Sequence, residues 1–290
     1  MGDADKPTIC AIECVVHLVP DLAAIERAYV EWLGYRVIDR SPVGEFDAGG
    51  WHAPALAGRP SIALRPESGE PCTLRFILSP SAAQYRALTT HGWNATEIVV
   101  QDVDALAQLF GQPASPFKII GGPAGLTRFP MIRAMQVIGP AGECLYLTEV
   151  GAGSGLSLAP ALSFVGKVFI VVAAGPDADA MFEPYRPFGN VIDPPVGTPV
   201  GVISAANGLP ADTLHRHGLV RLGGGTMIEL DGYPAVTVPR EAAPGELPPG
   251  MALVRFSVRG LTAPKITIGS GGEAIEFFPA TTGAEHDYDA

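Results

Sequence analysis

Short apolar runs that alternate with polar residues dominate this chain, and helical spacing interrupts them at only a few places. The first unit sets the pattern. A largely apolar run from Val15 to Val19 predicts a strand, and Asp21 stands where a helix cap belongs. Leu22, Ile25, Tyr29, Trp32 and Leu33 then recur at helical spacing until Gly34 supplies a left-handed stop. Tyr35 to Ile38, Ser61 to Arg65 and Thr73 to Leu78 read as strands, with a loop around Gly49, Gly50, Trp51 and His52, so the unit runs β, α, β, β, β.

The order then repeats. Trp93 to Val100 begins a second unit, with a short helix from Asp102 to about Phe110 and strands at Phe117 to Ile120, Arg133 to Ile138 and Cys144 to Glu149. Residues 151–163, rich in Gly, Ser, Ala and Pro, predict a flexible connector. A third unit with a weaker helix follows: a strand at Lys167 to Val172, a helix from Asp177 to about Tyr185, and strands at Val200 to Ile203, Gly218 to Leu222 and Thr226 to Leu230. Tyr233 to Gly250 is Pro- and Gly-rich and predicts a long loop. Strands at Ala252 to Val258, Lys265 to Ile268 and Ala274 to Phe278 form a truncated fourth unit, and residues 280–290 a polar, acidic, disordered tail.

The repeat is clearest at the closing strands. The segments starting at Gly142, Gly225 and Gly272 share one grammar: Gly, two variable residues, an aliphatic, a polar or aromatic residue, then an apolar one. Strand alternation sends the fifth position, occupied by Tyr146, Glu229 and Glu276, to the face opposite its apolar neighbours.

Val19-Pro20-Asp21-Leu22 followed by an aromatic and then Leu33-Gly34-Tyr35 resembles the opening of a module in the vicinal oxygen chelate superfamily, which includes glyoxalases, bleomycin-resistance proteins and extradiol dioxygenases. The resemblance implies an α+β fold: repeated βαβββ modules forming two cupped, mainly antiparallel sheets with helices on the convex side. The expected organisation is a module pair over 1–150, the linker 151–163, and a second pair over 164–279.

Composition narrows the function classes. With 47% hydrophobic and 17% charged residues, 35 Gly and 28 Pro, the chain suits a compact strand-rich protein. A formal net charge of −11 supplies no basic footprint, which argues against nucleic acid and anionic membranes as partners. The apolar runs are too short to cross a bilayer and the opening residues lack a signal layout, so the expected location is the cytoplasm. Cys10, Cys14, Cys72 and Cys144 show no metal-ligand spacing and read as small core residues. The glycine clusters at 121–125 and 223–225 do not lead from a strand into a helix with phosphate-loop spacing, and read as turns.

In metal-dependent members of the superfamily, first-strand and closing-strand ligands converge on one divalent ion. Carried onto this sequence, the N-terminal positions are Cys14, Ala95, Arg75 and Tyr146, which make no metal site. In the second half they are Lys167, Leu253, Glu229 and Glu276. The two acids are the candidate ligands for any metal, but Lys167 opposite them reads as an ion pair or as a catalytic base of lowered pKa. No cofactor is expected, with a divalent metal left open.

Glu97 alternates with Ala95 and Val99 on the concave side of an apolar strand, where burial would fit it as a general base and Tyr146 would donate to a developing oxyanion. Alternatively Arg75 or Arg133 satisfies the acid. His17 either packs under the helix or, through a strand slip, faces the cavity. His215 and His217 sit two apart, either on one side of a strand or in a solvated loop. Arg75, Arg133, His17 and His217 are the candidate substrate-binding residues. The function expected is a glyoxalase-like lyase or isomerase acting on a small oxygenated molecule. The alternatives are a ligand-sequestering protein of the bleomycin-resistance kind and an extradiol-type dioxygenase, the latter disfavoured by the missing histidines. The modules could pair within one chain or across a homodimer.

Overall fold

The computed structural model describes residues 6–126, 129–151, 158 and 160–280. The proposed tail from 281 and most of the connector, 152–157 and 159, lie outside the described residues. Among the described residues, fifteen strands form two sheets. The first seven-stranded sheet contains β1 (Thr8–Val19), β2 (Arg36–Asp39), β3 (Ser61–Arg65), β4 (Thr73–Leu78), β13 (Gly250–Arg259), β14 (Lys265–Ile268) and β15 (Ala274–Pro279), in the order β14-β15-β13-β1-β4-β3-β2. The eight-stranded sheet contains β5 (Gly92–Val100), β6 (Lys118–Gly125), β7 (Ile132–Ile138), β8 (Cys144–Val150), β9 (Val165–Gly175), β10 (Ile192–Pro199), β11 (Leu214–Arg221) and β12 (Met227–Gly232), ordered β10-β11-β12-β9-β5-β8-β7-β6.

Each sheet has the same centre. Two first strands meet antiparallel, β1 with β13 and β5 with β9. Each is flanked on its other side by the closing strand of its own module in parallel: β4, β15, β8 and β12. The remaining pairs are antiparallel, as expected for these modules. The fourth module keeps three strands and no helix between them, so it is truncated as its sequence indicates.

The strand order corrects the expected pairing within sequence halves. Module one pairs with module four and module two with module three, so each sheet draws strands from both sides of the 151–163 connector. That segment joins β8 to β9, which flank β5 in one sheet. Flexible composition reports chain freedom, and period-two alternation reports which face a side chain takes; neither specifies the partner strand.

The helices follow local signals. Asp21 accepts from Ala23 N at 2.8 Å and Ala24 N at 3.0 Å to start α1 (Leu22–Glu31), and Gly34 takes φ 69° beyond its end. Asp102 caps α3 (Val103–Phe110) through Ala105 N at 2.8 Å. Such caps contribute about 1 kcal/mol each. Ile25 and Tyr29 of α1 and Leu106 and Phe110 of α3 share one buried core with Val15 and Val19 of β1 and Ile98 and Val100 of β5. These two helices therefore fill the space between the convex faces, each large apolar side chain contributing roughly 1.5–3 kcal/mol by burial. Two short helices lie instead over the concave faces: α2 (Glu45–Gly50) on the seven-stranded cup and α4 (Gly201–Ala206) on the eight-stranded one.

Three elements differ from expectation. Val200 to Ile203, expected as a strand, lies at the start of α4, because Val202 and Ile203 pack into the cup from one helical face. The helix expected from Asp177 is a single 3-10 turn at Ala180–Phe182. Strand β6 runs on through the glycine cluster to Gly125, which was read as a turn. The closing-strand grammar has a physical basis in two copies: Gly142 and Gly272 take φ 81° and 83°, and Glu143 and Glu273 fold back to accept from Ala141 N and Gly271 N at 2.8 and 2.9 Å. No helix among the described residues is long and apolar enough to cross a membrane.

Candidate functional site

The two concave faces carry opposite chemistry. In the seven-stranded cup, register places Cys14 and Val16 of β1 beside Arg255 and Leu253 of β13, Arg75 of β4 beside Val16, and Glu276 of β15 beside Arg255. Helix α2 closes over them. Asp47 accepts from Arg75 Nη1 at 2.6 Å and Arg255 Nη2 at 3.1 Å, and Glu276 Oε2 accepts from Arg255 Nε at 2.7 Å and Trp51 Nε1 at 3.1 Å. Val43, Ala48, Trp51, Ala53 and Leu56 fill the remaining apolar space. Burial pushes the Cys14 thiol up to about 11, which removes it as a thiolate ligand. Two carboxylates and two arginines leave this cup's ion network balanced in charge.

In the eight-stranded cup, β5 directs Ala95, Glu97 and Val99 inward while Ile98 and Val100 enter the central core. Glu97 stands beside Tyr146 of β8 and Ile170 of β9. Strand β12 presents Met227, Glu229 and Asp231, with Glu229 beside Val172 and Asp231 beside His217 of β11. Glu97 is only 9% exposed, and burial, reinforced by the charge of Glu229, raises its carboxyl to about 8. The hydroxyl of Thr148 donates to Glu97 Oε1 and acts in the opposite direction. Burial raises Glu229, opposed by His217 and by a hydrogen bond with Asp231; it raises Asp231 further, helped by the Glu229 charge and the same bond. Tyr146 is also raised by burial, so its hydroxyl stays protonated and able to donate. Apolar cover comes from Val202, Ile203, Tyr85 and Tyr233. A cavity of about 360 Å³ lined in part by His215, Gly232 and Tyr233 lies at the β11–β12 edge of this sheet, outside the acid cluster, and one of about 350 Å³ between α2 and β14 reaches Glu276 of the seven-stranded cup.

Several expectations change here. Glu97 and Tyr146 are brought together, on neighbouring strands rather than across the cup. Neither arginine considered for Glu97 reaches it: Arg75 is held by Asp47, and Arg133 pairs with Asp104 at 2.8 Å on the surface. Glu229 and Glu276 cannot share an ion, because they belong to different sheets. Lys167 pairs with neither; Glu229 faces His217 at 3.9 Å, and Glu276 is bound by Arg255. His17 is 1% exposed and stacks on Phe76 at 5.1 Å in the central core, so a residue considered for substrate binding packs away from both cups. His215 and His217 lie on β11 rather than in a loop: Ser204 bonds His215 Nε2 at 2.9 Å, and Thr198 Oγ1 lies 3.3 Å from His217 Nε2. Asp231 was missed although Glu229 and Asp231 are two apart on one strand and must share a face, since the closing-strand grammar ends at Leu230. Asp47, Arg255 and Thr148 carried no such signal.

The ligand positions implied by the resemblance supply few metal donors in this cup. Ala95 and Tyr146 leave Glu229 as the one strong donor in this cup from that set.

Two cups, each built from a pair of modules joined through antiparallel first strands, are the vicinal oxygen chelate fold. Among solved structures, glyoxalase I from Zea mays is similar with a TM-score of 0.60 at 13% identity, covering 95% of this chain and 93% of that one. A protein from Bacillus subtilis subsp. subtilis str. 168, described as a candidate dioxygenase, is similar with a TM-score of 0.61 at 13% identity, covering 97% and 88%. No protein-family profile and no curated protein matches the sequence.

Proposed function

We propose that the eight-stranded cup is the active cavity of a glyoxalase-like lyase or isomerase that shifts a proton on a small oxygenated substrate. One observation carries this reading: Glu97 is buried on the cup wall with a carboxyl raised to about 8 and no cationic partner among the described residues. A carboxylate with that proton affinity is a far better base than an exposed one, and still ionises near neutral pH.

Glu97 removes a proton from the carbon next to a carbonyl, and the electron pair moves onto the carbonyl oxygen. Tyr146, beside Glu97 in register, donates its hydroxyl to that oxygen. On a hydroxyketone the intermediate is an enediolate: protonated Glu97 returns its proton to the former carbonyl carbon while the hydroxyl proton of the first carbon passes to the oxygen beside Tyr146, so the carbonyl re-forms one carbon over and gives an isomer. Alternatively the enolate re-forms its carbonyl by expelling a leaving group from the next carbon, giving elimination. With no lysine or arginine paired to the cup's three acids among the described residues, the cup favours neutral dicarbonyls, hydroxyketones or enols over anionic substrates. A dioxygenase of the two-histidine, one-carboxylate kind is disfavoured, because His217 is the one imidazole in the acidic cluster among the described residues.

The apolar lining of Ile170, Val172, Val202 and Met227 supports a second reading, ligand sequestration without turnover. Incubating the purified protein in D2O with a panel of dicarbonyls, hydroxyketones, enols and catechols, followed by proton NMR, separates the two. Deuterium incorporation or a new product supports the enzyme; saturable binding with neither refutes it and supports sequestration.

A further inference from the structure

The two cups balance their acids differently. In the seven-stranded cup two carboxylates, Asp47 and Glu276, meet two arginines, Arg75 and Arg255. In the other, Glu97, Glu229 and Asp231 face inward, and among the described residues no lysine or arginine forms an ion pair with any of them. Asp231 is 3% exposed, and its Oδ1 is buried without a hydrogen-bond partner. An orphaned carboxylate oxygen in such a place is costly unless something outside the chain satisfies it.

We propose that His217, Glu229 and Asp231 bind a divalent transition-metal ion on the β11–β12 wall of the eight-stranded cup. One nitrogen or oxygen donor from each residue lies within 4.8 Å of the others. The sequence enforces this grouping, since Glu229 and Asp231 alternate onto one face of β12 and antiparallel register sets Asp231 directly beside His217. Thr198 Oγ1 lies 3.3 Å from His217 Nε2, so the tautomer that carries its hydrogen on Nε2 can donate there and turn the Nδ1 lone pair toward Glu229 and the ion. One imidazole with two carboxylates suits manganese, cobalt or zinc better than calcium, which wants six to eight oxygens. Glu97, on the same concave face, is not a required donor. All three donors come from the third module: the site shares Glu229 with the closing-strand positions that the resemblance implies, while His217 and Asp231 stand outside that set. The binding does not depend on whether Glu97 acts as a base.

Titrating the metal-stripped full chain with Co²⁺ reads this directly, through calorimetry, native mass spectrometry and the visible ligand-field absorption of the bound ion. The expected result is one Co²⁺ per chain. Asp231→Asn and His217→Ala, each shown to be folded by circular dichroism and thermal melting, weaken binding by about a hundredfold or more. Asp104→Asn, a surface carboxylate in the pair with Arg133, leaves it unchanged. Failure of the native chain to bind Co²⁺, Mn²⁺ or Zn²⁺ at millimolar concentration overturns the proposal, and so does a one-to-one complex that persists in both cup variants.

Discussion

Replacing Glu97 by Gln separates the electrostatics of the eight-stranded cup from its packing. Gln keeps the shape and still accepts the hydrogen bond from Thr148. Burial and the facing Glu229 raise the Glu97 carboxyl from 4.5 to about 8, so the unfolded chain releases this proton before the folded one does. The stability associated with the protonated carboxyl is therefore fully present below about pH 4.5 and is lost as pH rises through 8. At about 1.36 kcal/mol per pH unit, the interval between those values sets a ceiling of about 5 kcal/mol. Glu229 and Asp231 are raised by the same burial and keep their share of the pH dependence. Glu97→Gln should thus match the wild type near pH 4.5 and exceed its stability by about 3 kcal/mol at pH 8.5. Urea unfolding of both proteins across this range measures the difference. A gap independent of pH, or a Gln protein less stable than wild type at pH 8.5, refutes the reasoning.

Tyr146→Phe should lower turnover by about a hundredfold through loss of the oxyanion donor, with urea stability within about 1 kcal/mol of wild type. Asp47→Asn removes the charge between Arg75 and Arg255 and should destabilise the protein by about 2–3 kcal/mol in urea unfolding, a loss partly recovered at high salt. Burial, with help from the Arg240 charge, lowers His17 from 6.5 to about 3, so its contribution is present above about pH 6.5 and lost as pH falls toward 3. His17→Phe should therefore raise the melting temperature more at pH 4.5 than at pH 7.5.

Much of the fold was legible because its signals are local. Asp21 and Gly34 bracket α1, Asp102 caps α3, and the Gly-Glu turns open β8 and β15. Alternation also placed Glu97 between Ala95 and Val99 on a concave face and gave Tyr146 and Glu229 the same exposure. Which cup each acid entered depended on the partner strands. The pairing of β1 with β13 and β5 with β9 joins residues far apart in sequence, and no residue type along β1 or β5 encodes that choice. Glu229 and Glu276 therefore looked like one site and belong to two, and Lys167 looked like their counter-charge and reaches neither. Asp47 was silent because α2 is six residues with two glycines, too short for a periodic signal, yet it holds both arginines of the seven-stranded cup.

The pH profile of proton exchange tests the assignment of the eight-stranded cup most directly. With a substrate from the panel that the wild type labels in D2O, kcat/KM for exchange at the carbon next to the carbonyl should climb about tenfold per pH unit and level off near pH 8, following ionisation of Glu97 in the free protein. Glu97→Gln should be slower by about a hundredfold or more and lack that rising limb. A wild-type rate unchanged between pH 5 and pH 9, or full exchange by the Glu97→Gln protein, would contradict the account.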